Sequence, residues 1–539
     1  MSGDTPALSA ALAAWRRHLG EAGVLSGAAA QQHYGKGTTG AERTIPAALR
    51  PRSVADVRAI VAIAGDYSIP LYPISTGNNW GYGSASPARD GCVVLDLSGL
   101  DRIVEMDAQS GLATVEPGVT QQQLGDYLES RGLPFLVPVT GAGPRCSLVG
   151  NALERGYGIT PYADHFAAVT ALEAVLPDGR LYRSALSELG GTAADRAYKW
   201  GVGPYLDGLF TQSGLGVVTQ MTIALAPRPE RVEAFLFAVD HDTALEAAVT
   251  AVQRALRALG GVSGSVNLMN ARRILAMAAP YPGDRASPHG VLPPAVVAEL
   301  AAHYRVPPWT GFGALYGNAG IVKAARRAVR KILRQAVARL RFVTPGGAAA
   351  IDRWCNRIPA LREGRLARRA RTLAAAMQLV AGKPSEAALP LAYWRTGVGL
   401  RPEGAVLDPA ADGCGLIWYS PLVPMAAPRV TRYVAMVDEI CVRHGIEPLI
   451  TLTSLSDRCF DSSVPLLFDL HDAEARRRAH ACYMALLEAG RDEGFLPYRV
   501  GLQAMDWLVR PGLPCWDLVA ALKSAVDPRG IIAPGRYGP

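Results

Sequence analysis

The 539-residue sequence predicts an α+β protein of two or three domains. The chain is longer than a single core accommodates. Hydrophobic residues make up 49% of it and charged residues 19%, so large cores can be buried. Segments of helical period alternate with short β-rich runs bounded by Gly and Pro.

In chain order, residues 7–19 read as one helix, followed by a Gly-rich connector to 45. A second helix starts after Pro51. Ser53 is its N-cap, with Asp56 at the capping-box position, and Val54, Val57, Ile60, Val61 and Ala64 share one face. Residues 68–73 form a short apolar strand, and further β-rich runs cover 92–97, 102–107 and 113–115. Residues 120–131 read as a helix capped by Thr120 with Gln123 three positions on. Runs 168–176 and 181–184, joined by Pro177-Asp178-Gly179-Arg180, carry a hairpin signature. Pro227-Arg228-Pro229 closes a first region, and a domain boundary is expected at 230. Residues 231–485 read as a second α+β domain with helices at 243–259, 322–342 and 427–444.

The net charge of +8 is concentrated in one run. Lys323, Arg326, Arg327, Arg330, Lys331, Arg334, Arg339 and Arg341 occur with no acid between them. Such a run is either a solvated helix face answered by acids elsewhere or a docking surface for an acidic partner. It does not suit nucleic acid, because no stacking aromatics are interleaved. None of the eight cysteines forms a C-x-x-C pair, which fits reduced thiols and a cytoplasmic protein. There is no secretory pattern at the N-terminus and no run of 18 apolar residues to span a membrane.

The most informative stretch is Pro73-Ile74-Ser75-Thr76-Gly77-Asn78-Asn79-Trp80-Gly81-Tyr82-Gly83. It follows a strand and offers backbone N–H groups with little side chain in the way. Successive N–H groups of this kind make a concave nest for an anion, typically phosphate, although an ordinary Gly-rich turn has the same composition. The spacing is neither that of a P-loop nor G-x-G-x-x-G. Gly141-Ala142-Gly143 and Gly201-Val202-Gly203 also lack the third Gly of a nicotinamide-dinucleotide fingerprint.

This stretch, with Val93-Val94-Leu95-Asp96-Leu97 after it, resembles the pyrophosphate loop and next strand of the vanillyl-alcohol oxidase and p-cresol methylhydroxylase family of FAD-dependent oxidoreductases. The resemblance resumes at 150–165, at 209–219, at Tyr498-Arg499 and at 527–536, and is weak in the middle of the chain. It implies a two-part FAD-binding domain, residues 1–230 completed by 486–539. An α+β cap with an antiparallel sheet, 231–485, would bind substrate. FAD is the implied cofactor. Its implied contacts are Pro73, Ser75, Thr76, Gly77, Asn78, Asn79, Ser147, Gly150, Asn151, Tyr157, Gly158, Gly216, Val218 and Arg536. Oxygen or a cytochrome-type electron carrier is the implied acceptor, and a homo-oligomer the implied assembly.

The resemblance also implies chemistry. In relatives acting on phenols, two Tyr and one Arg hold the phenolic oxygen, and the matching residues are Tyr82, Tyr498 and Arg499. Ionising a phenol of pKa near 10 at neutral pH costs about 4 kcal/mol. Hydrogen bonds to a charged group contribute about 1.5–3 kcal/mol each, so three donors offset that cost and one does not. The ionised ring then releases hydride from the para benzylic or allylic carbon towards flavin N5, leaving a p-quinone methide. Asp164 matches an acid near the reacting carbon, with a loop Asx-turn as the plain alternative. Arg536 matches a cation near the flavin N1 and C2 oxygen. His165 reads as structural or as a flavin contact, and no second His suggests a metal. Leu416 stands where histidyl-linked members carry their flavin-bonded His, which excludes that linkage. Tyr393, Tyr419 and Cys146 are the other attachment candidates, and non-covalent FAD is the preferred reading. The rival functions are a same-fold oxidoreductase of a non-phenolic alcohol, hydroxy acid or lactone, and a non-catalytic flavin binder.

Overall fold

A computed structural model describes residues 5–287, 290–358, 365–402 and 404–538. Three sheets organise it. The first contains β1 (Val24–Ser26), β2 (Ala47–Leu49), β3 (Leu71–Ile74) and β4 (Val93–Asp96), in the order β1-β2-β4-β3. β2, β4 and β3 run parallel, and β1 is antiparallel to β2. Helix Val54–Tyr67 is the crossover from β2 to β3. Ser53 caps it by accepting the Asp56 N–H at 3.1 Å, and it buries Val57, Ile60, Val61 and Ala64. Helix Pro6–Leu19 packs on that crossover and buries Trp15, whose indole N–H donates to Ile60 O at 3.2 Å. The expected strand at 68–73 starts only at Leu71, because Ser68 ends the helix in a left-handed conformation.

The second sheet holds β5 (Ile103–Asp107), β6 (Leu112–Val115), β7 (Val169–Val175), β8 (Leu181–Arg183) and β9 (Val217–Ala224), in the order β5-β6-β9-β7-β8. All its pairs are antiparallel. β7 and β8 form the expected hairpin, and helix Gln121–Ser130 carries the full Thr120/Gln123 capping box.

The third sheet contains β10 (Arg231–Val239), β11 (Asn267–Asn270), β12 (Trp309–Gly317), β13 (Arg339–Val343), β14 (Cys414–Pro424), β15 (Thr451–Ser454), β16 (Cys459–Asp469) and β17 (Pro497–Arg499). Their order is β13-β10-β12-β11-β15-β16-β14-β17, antiparallel throughout. Helices Leu245–Ala258 and Ala427–Arg443 follow the expectation closely. The expected helix at 322–342 does not. It ends at Leu333, and 339–343 is strand β13 on the sheet edge. Leu340 and Phe342 alternate with Arg339 and Arg341, a period of two that suits an edge strand. Among the basic residues, Arg326 pairs with Glu233 at 2.7 Å and Arg339 with Asp240 at 3.4 Å, while Lys323, Arg327, Lys331 and Arg334 are exposed.

The C-terminal segment serves two sheets. β17 extends the eight-stranded sheet beside β14. Further on, Leu71 N–H donates to Ile531 O and Ala533 N–H to Leu71 O, both at 2.7 Å, which lays the chain end along the open edge of β3. Residues from the two chain ends therefore meet between the first and third sheets.

Candidate active site

β3 ends at Ile74, where the parallel strands deliver their C-terminal ends, the usual mouth for a ligand in such a sheet. The loop beyond it turns through three glycines of positive φ, Gly77 at +71°, Gly81 at +78° and Gly83 at +137°. Among the described residues, no protein acceptor takes the backbone N–H groups from Ser75 to Asn79. Unpartnered N–H groups in succession are what an anionic ligand satisfies. The facing wall is helix Leu148–Leu153. Its N-cap Ser147 accepts the Gly150 N–H at 2.9 Å and donates to Pro117 O at 2.6 Å. Space between the walls is tight: a Cβ on Gly150 would lie 3.0 Å from Ser75 Oγ. Between these walls and the eight-stranded sheet runs a cleft of about 500 Å³. Every loop and wall residue implied above as an FAD contact lines it, as do Tyr82, Tyr498, Arg499 and Arg536.

The Tyr and Arg residues form one cluster. Arg499 sits on β17 opposite Ser420 of β14, and Ser420 Oγ shares a 2.5 Å hydrogen bond with the Tyr82 hydroxyl. The Arg499 guanidinium stacks over the Tyr82 ring, 4.0 Å from its centroid, and donates to Asn79 Oδ1. Tyr498 packs edge-to-face on Tyr157, with centroids 5.8 Å apart. Burial pushes the Tyr82 phenol up to about 12, with nearby Arg499 pulling the other way. Tyr498 is driven higher by burial and by the Asp461 charge. Both therefore stay protonated through the physiological range. Arg536 extends the cluster by pairing with Glu154 and donating to the Tyr72 hydroxyl.

Two acids of this cluster carry no assignment from the sequence. Glu154 joins Arg536 to Arg499. Asp461, on β16, is 6% exposed and lines the cleft. Its Oδ2 accepts from Ser463 Oγ at 3.2 Å, and its Oδ1 has no partner among the described residues. Burial raises its carboxyl to about 7, against the Ser463 hydrogen bond and the Arg499 charge. A charged residue inside the strand run Phe460-Asp461-Ser462-Ser463-Val464 was the available signal.

Asp164 lies one bridge pairing from the cleft-lining Tyr157, whose phenol its charge helps to raise. Its Oδ1 accepts the Ala167 N–H at 2.9 Å, the loop turn named as the alternative. His165 lies outside the lining. Its Nδ1 meets Asn151 Nδ2, its Nε2 is buried without a partner among the described residues, and burial lowers its pKa to about 4. Of the attachment candidates, Tyr393 is turned away and donates to Asp412 Oδ2 at 2.5 Å, while Tyr419 is fully buried in the core. Neither lines the cleft; Cys146 and Leu416 do, and burial raises the Cys146 thiol.

The parallel sheet with its anion-accepting loop, the antiparallel five-stranded sheet beside it and the α+β cap define a flavoprotein whose FAD site opens under the cap. FAD fits what is present: the 75–79 N–H groups suit its pyrophosphate, and the cleft beyond suits the rest of the molecule. Residues 45–185 match the FAD binding domain family. The chain is 38% identical over 536 residues to 1'-carboxy-chondrochloren decarboxylase of Chondromyces crocatus, covering 99% of this chain and 98% of that protein. It is 29% identical to the 4-cresol dehydrogenase [hydroxylating] flavoprotein subunit of Pseudomonas putida, covering 91% and 87%. The structure of 4-ethylphenol oxidase from Gulosibacter chungangensis in complex with isoeugenol superposes with a TM-score of 0.88 at 25% identity, covering 100% and 98%. The protein belongs to the p-cresol methylhydroxylase and vanillyl-alcohol oxidase family of FAD-dependent flavoproteins.

Proposed function

We propose that this flavoprotein oxidises a para-substituted phenol at its benzylic or allylic carbon. The observation that carries the reading is the gathering of Tyr82, Tyr498 and Arg499, from opposite ends of the chain, on one cleft with Asp461. Bound FAD supplies a two-electron hydride acceptor. The chain does the rest. Tyr82 and Tyr498 donate hydrogen bonds to the phenolic oxygen, and Arg499 offsets its negative charge. Ser420 holds Tyr82 in place by their shared hydrogen bond. Asp461 takes the phenolic proton, because a carboxyl near 7 accepts a proton and releases it to solvent at neutral pH. Electron release from the phenolate expels hydride from the benzylic or allylic carbon of the para substituent and leaves a p-quinone methide. The apolar wall of Trp80, Leu389, Leu391, Leu416 and Trp418 keeps water from the ring.

A second outcome of the same step is supported by the likeness to a decarboxylase. If the substrate bears a carboxylate on the carbon next to the benzylic one, its C–C bond pair can form the new C=C bond. CO₂ leaves, the ring regains its phenolate, and no further oxidant is needed. Acidic quenching followed by product analysis separates this alkene from the alcohol formed by water addition. The test of the main reading is anaerobic mixing of the holoenzyme with 4-alkylphenols. Bleaching of the flavin absorbance is expected; an unchanged spectrum across the panel rejects the reading.

The acceptor of the electrons is oxygen or a protein carrier. The exposed row Lys323, Arg327, Lys331 and Arg334 supports an acidic carrier. Eight free cysteines support a cytoplasmic site of action, and among the described residues no helix is long and apolar enough to cross a membrane.

A further inference from the structure

The cleft continues past the phenol-facing groups along one face of the eight-stranded sheet. Strand register lines up polar residues there. Asn267 of β11 faces Thr453 of β15, which faces Asp461 of β16, and Thr451 faces Ser463. All five line the cleft. At the far end β11 runs directly into helix Ala271–Ala278, where Asn270 caps the helix by accepting the Arg273 backbone N–H at 2.9 Å. That cap points the Arg273 side chain into the cleft lining, only 9% exposed.

Arg273 is an anomaly in this position. Neither its Nε nor its Nη1 has a hydrogen-bond partner among the described residues, and the same holds for the buried Thr451 Oγ1 and Asn267 Oδ1. Burial, with no carboxylate to offset it, pushes its guanidinium down to about 10. The neighbouring Arg272 shows how the fold treats a structural arginine: it pairs with buried Glu447 at 2.5 Å and donates to Leu292 O at 3.0 Å. A buried cation with no counter-charge is unfavourable unless a ligand supplies the charge.

We infer that Arg273 is a recognition residue for a carboxylate on the far end of the substrate's para side chain. The substrate class is then a 4-hydroxyphenyl alkanoic or alkenoic acid, an assignment that rests on the phenol reading for its other end. A guanidinium presents a planar fork that matches one carboxylate with two parallel N–H donors, and Thr451 adds an O–H. The negative charge does not come from the cofactor's pyrophosphate, which has its own N–H cradle on the 75–79 loop. A doubly charged phosphate on the substrate would call for a second cation beside Arg273, and the other arginines of the lining, Arg499 and Arg536, lie together at the opposite end with Glu154. Four strand spacings, roughly 19 Å, separate β17 from β11. Both arginines line the one cleft, and an aromatic ring with a short apolar chain suits the interval between them, against Leu389, Leu391, Leu416 and Trp418.

The test uses dithionite-reduced holoenzyme, where no turnover competes, and isothermal calorimetry. The probes are 4-hydroxyphenyl acids with two to five side-chain carbons, their primary amides and 3-phenylpropanoate. At least one acid is expected to bind 30-fold or more tightly than its amide. In Arg273→Met that ratio should fall to threefold or less, and Arg273→Lys should retain part of it. FAD content and thermal midpoint report that each variant is folded, and Arg273→Gln serves if Arg273→Met is not. Acids that bind no better than their amides across the series overturn the inference, as does a ratio that survives in Arg273→Met. The phenol reading fails separately, if 3-phenylpropanoate binds as tightly as its 4-hydroxy counterpart while the acid-to-amide ratio persists.

Discussion

One carboxylate oxygen of Glu154 lies 3.3 Å from Arg499 Nε, while the other pairs directly with the Arg536 guanidinium. All three side chains are 12–15% exposed, so the group is nearly dry. Glu154 thereby ties the cation beside Tyr82 to the cation at the chain end that lies along β3. It fixes the distance between the two sheets at the point where substrate and cofactor would meet.

Removing that carboxylate leaves two buried cations facing each other. Glu154→Gln is expected to lose about 3–5 kcal/mol of stability, the cost of breaking a buried pair on one side. Urea unfolding of the purified variant measures this, and kcat/KM for 4-alkylphenols should fall at least tenfold with it. A variant of wild-type stability would mean that the two arginines are neutralised elsewhere.

Tyr82→Phe and Tyr498→Phe each delete one donor to the phenolic oxygen. A hydrogen bond to a charged group contributes about 1.5–3 kcal/mol, so each change should lower kcat/KM about 10- to 100-fold. The diagnostic is a comparison with the 4-alkylphenol methyl ethers, which cannot ionise. Equal losses for phenols and ethers would mean that the hydroxyls only pack.

Asp461 predicts a pH dependence of both rate and stability. As a base with a carboxyl near 7, it should make kcat/KM rise through that pH, and Asp461→Asn should flatten the limb. Its folded value lies above the ordinary 3.8, so the folded protein holds the proton more tightly than the unfolded chain does. Stability is then full below about 4 and declines as pH rises towards 7, by up to about 4 kcal/mol. Thermal midpoints at pH 5 and pH 8 should therefore differ less in Asp461→Asn than in wild type.

Gly81 and Gly91 separate backbone strain from crowding. Both have φ of +78°, but a Cβ on Gly81 would lie 2.2 Å from Trp418 Cδ1, while Gly91 has nothing within 4 Å. Gly91→Ala should cost about 1–2 kcal/mol for the left-handed backbone alone. Gly81→Ala should additionally displace Trp418 or the loop, and FAD retained after gel filtration is the measurement. Equal retention in both variants would show that the loop yields without consequence.

The electron acceptor can be read from ionic strength. If an acidic carrier docks on the helix Ala319–Leu333, reoxidation by that carrier should slow as salt rises, and the double change Arg327→Glu with Lys331→Glu should remove the salt effect. Reoxidation by oxygen should respond to neither.

Much of the molecule was legible in the linear chain, because the signals concerned are local. Ser53 and Thr120 cap their helices through atoms three residues away, and the Pro-Asp-Gly turn at 177–179 closes its own hairpin. The stretch 73–83 needed only its own glycines to read as a tight loop, a phosphate nest or an ordinary Gly-rich turn, and the matching blocks along the chain pointed to a flavin. The misreading at 334–343 has a physical cause as well. A run of arginines suits a helix surface and a sheet edge alike, and only pairing with β10 made it a strand.

What folding alone decided is which charges lack partners. Arg272 and Arg273 are adjacent and chemically identical, yet Glu447 reaches the first, while Nε and Nη1 of the second have no partner among the described residues. Asp164 and Asp461 differ likewise: one spends its carboxylate on a loop N–H, the other keeps an oxygen free in a dry cleft. Composition and spacing cannot encode that difference. Desolvation and the availability of a counter-charge depend on residues hundreds of positions away, brought close only when the chain end lies down on β3 and β17 joins the cap sheet.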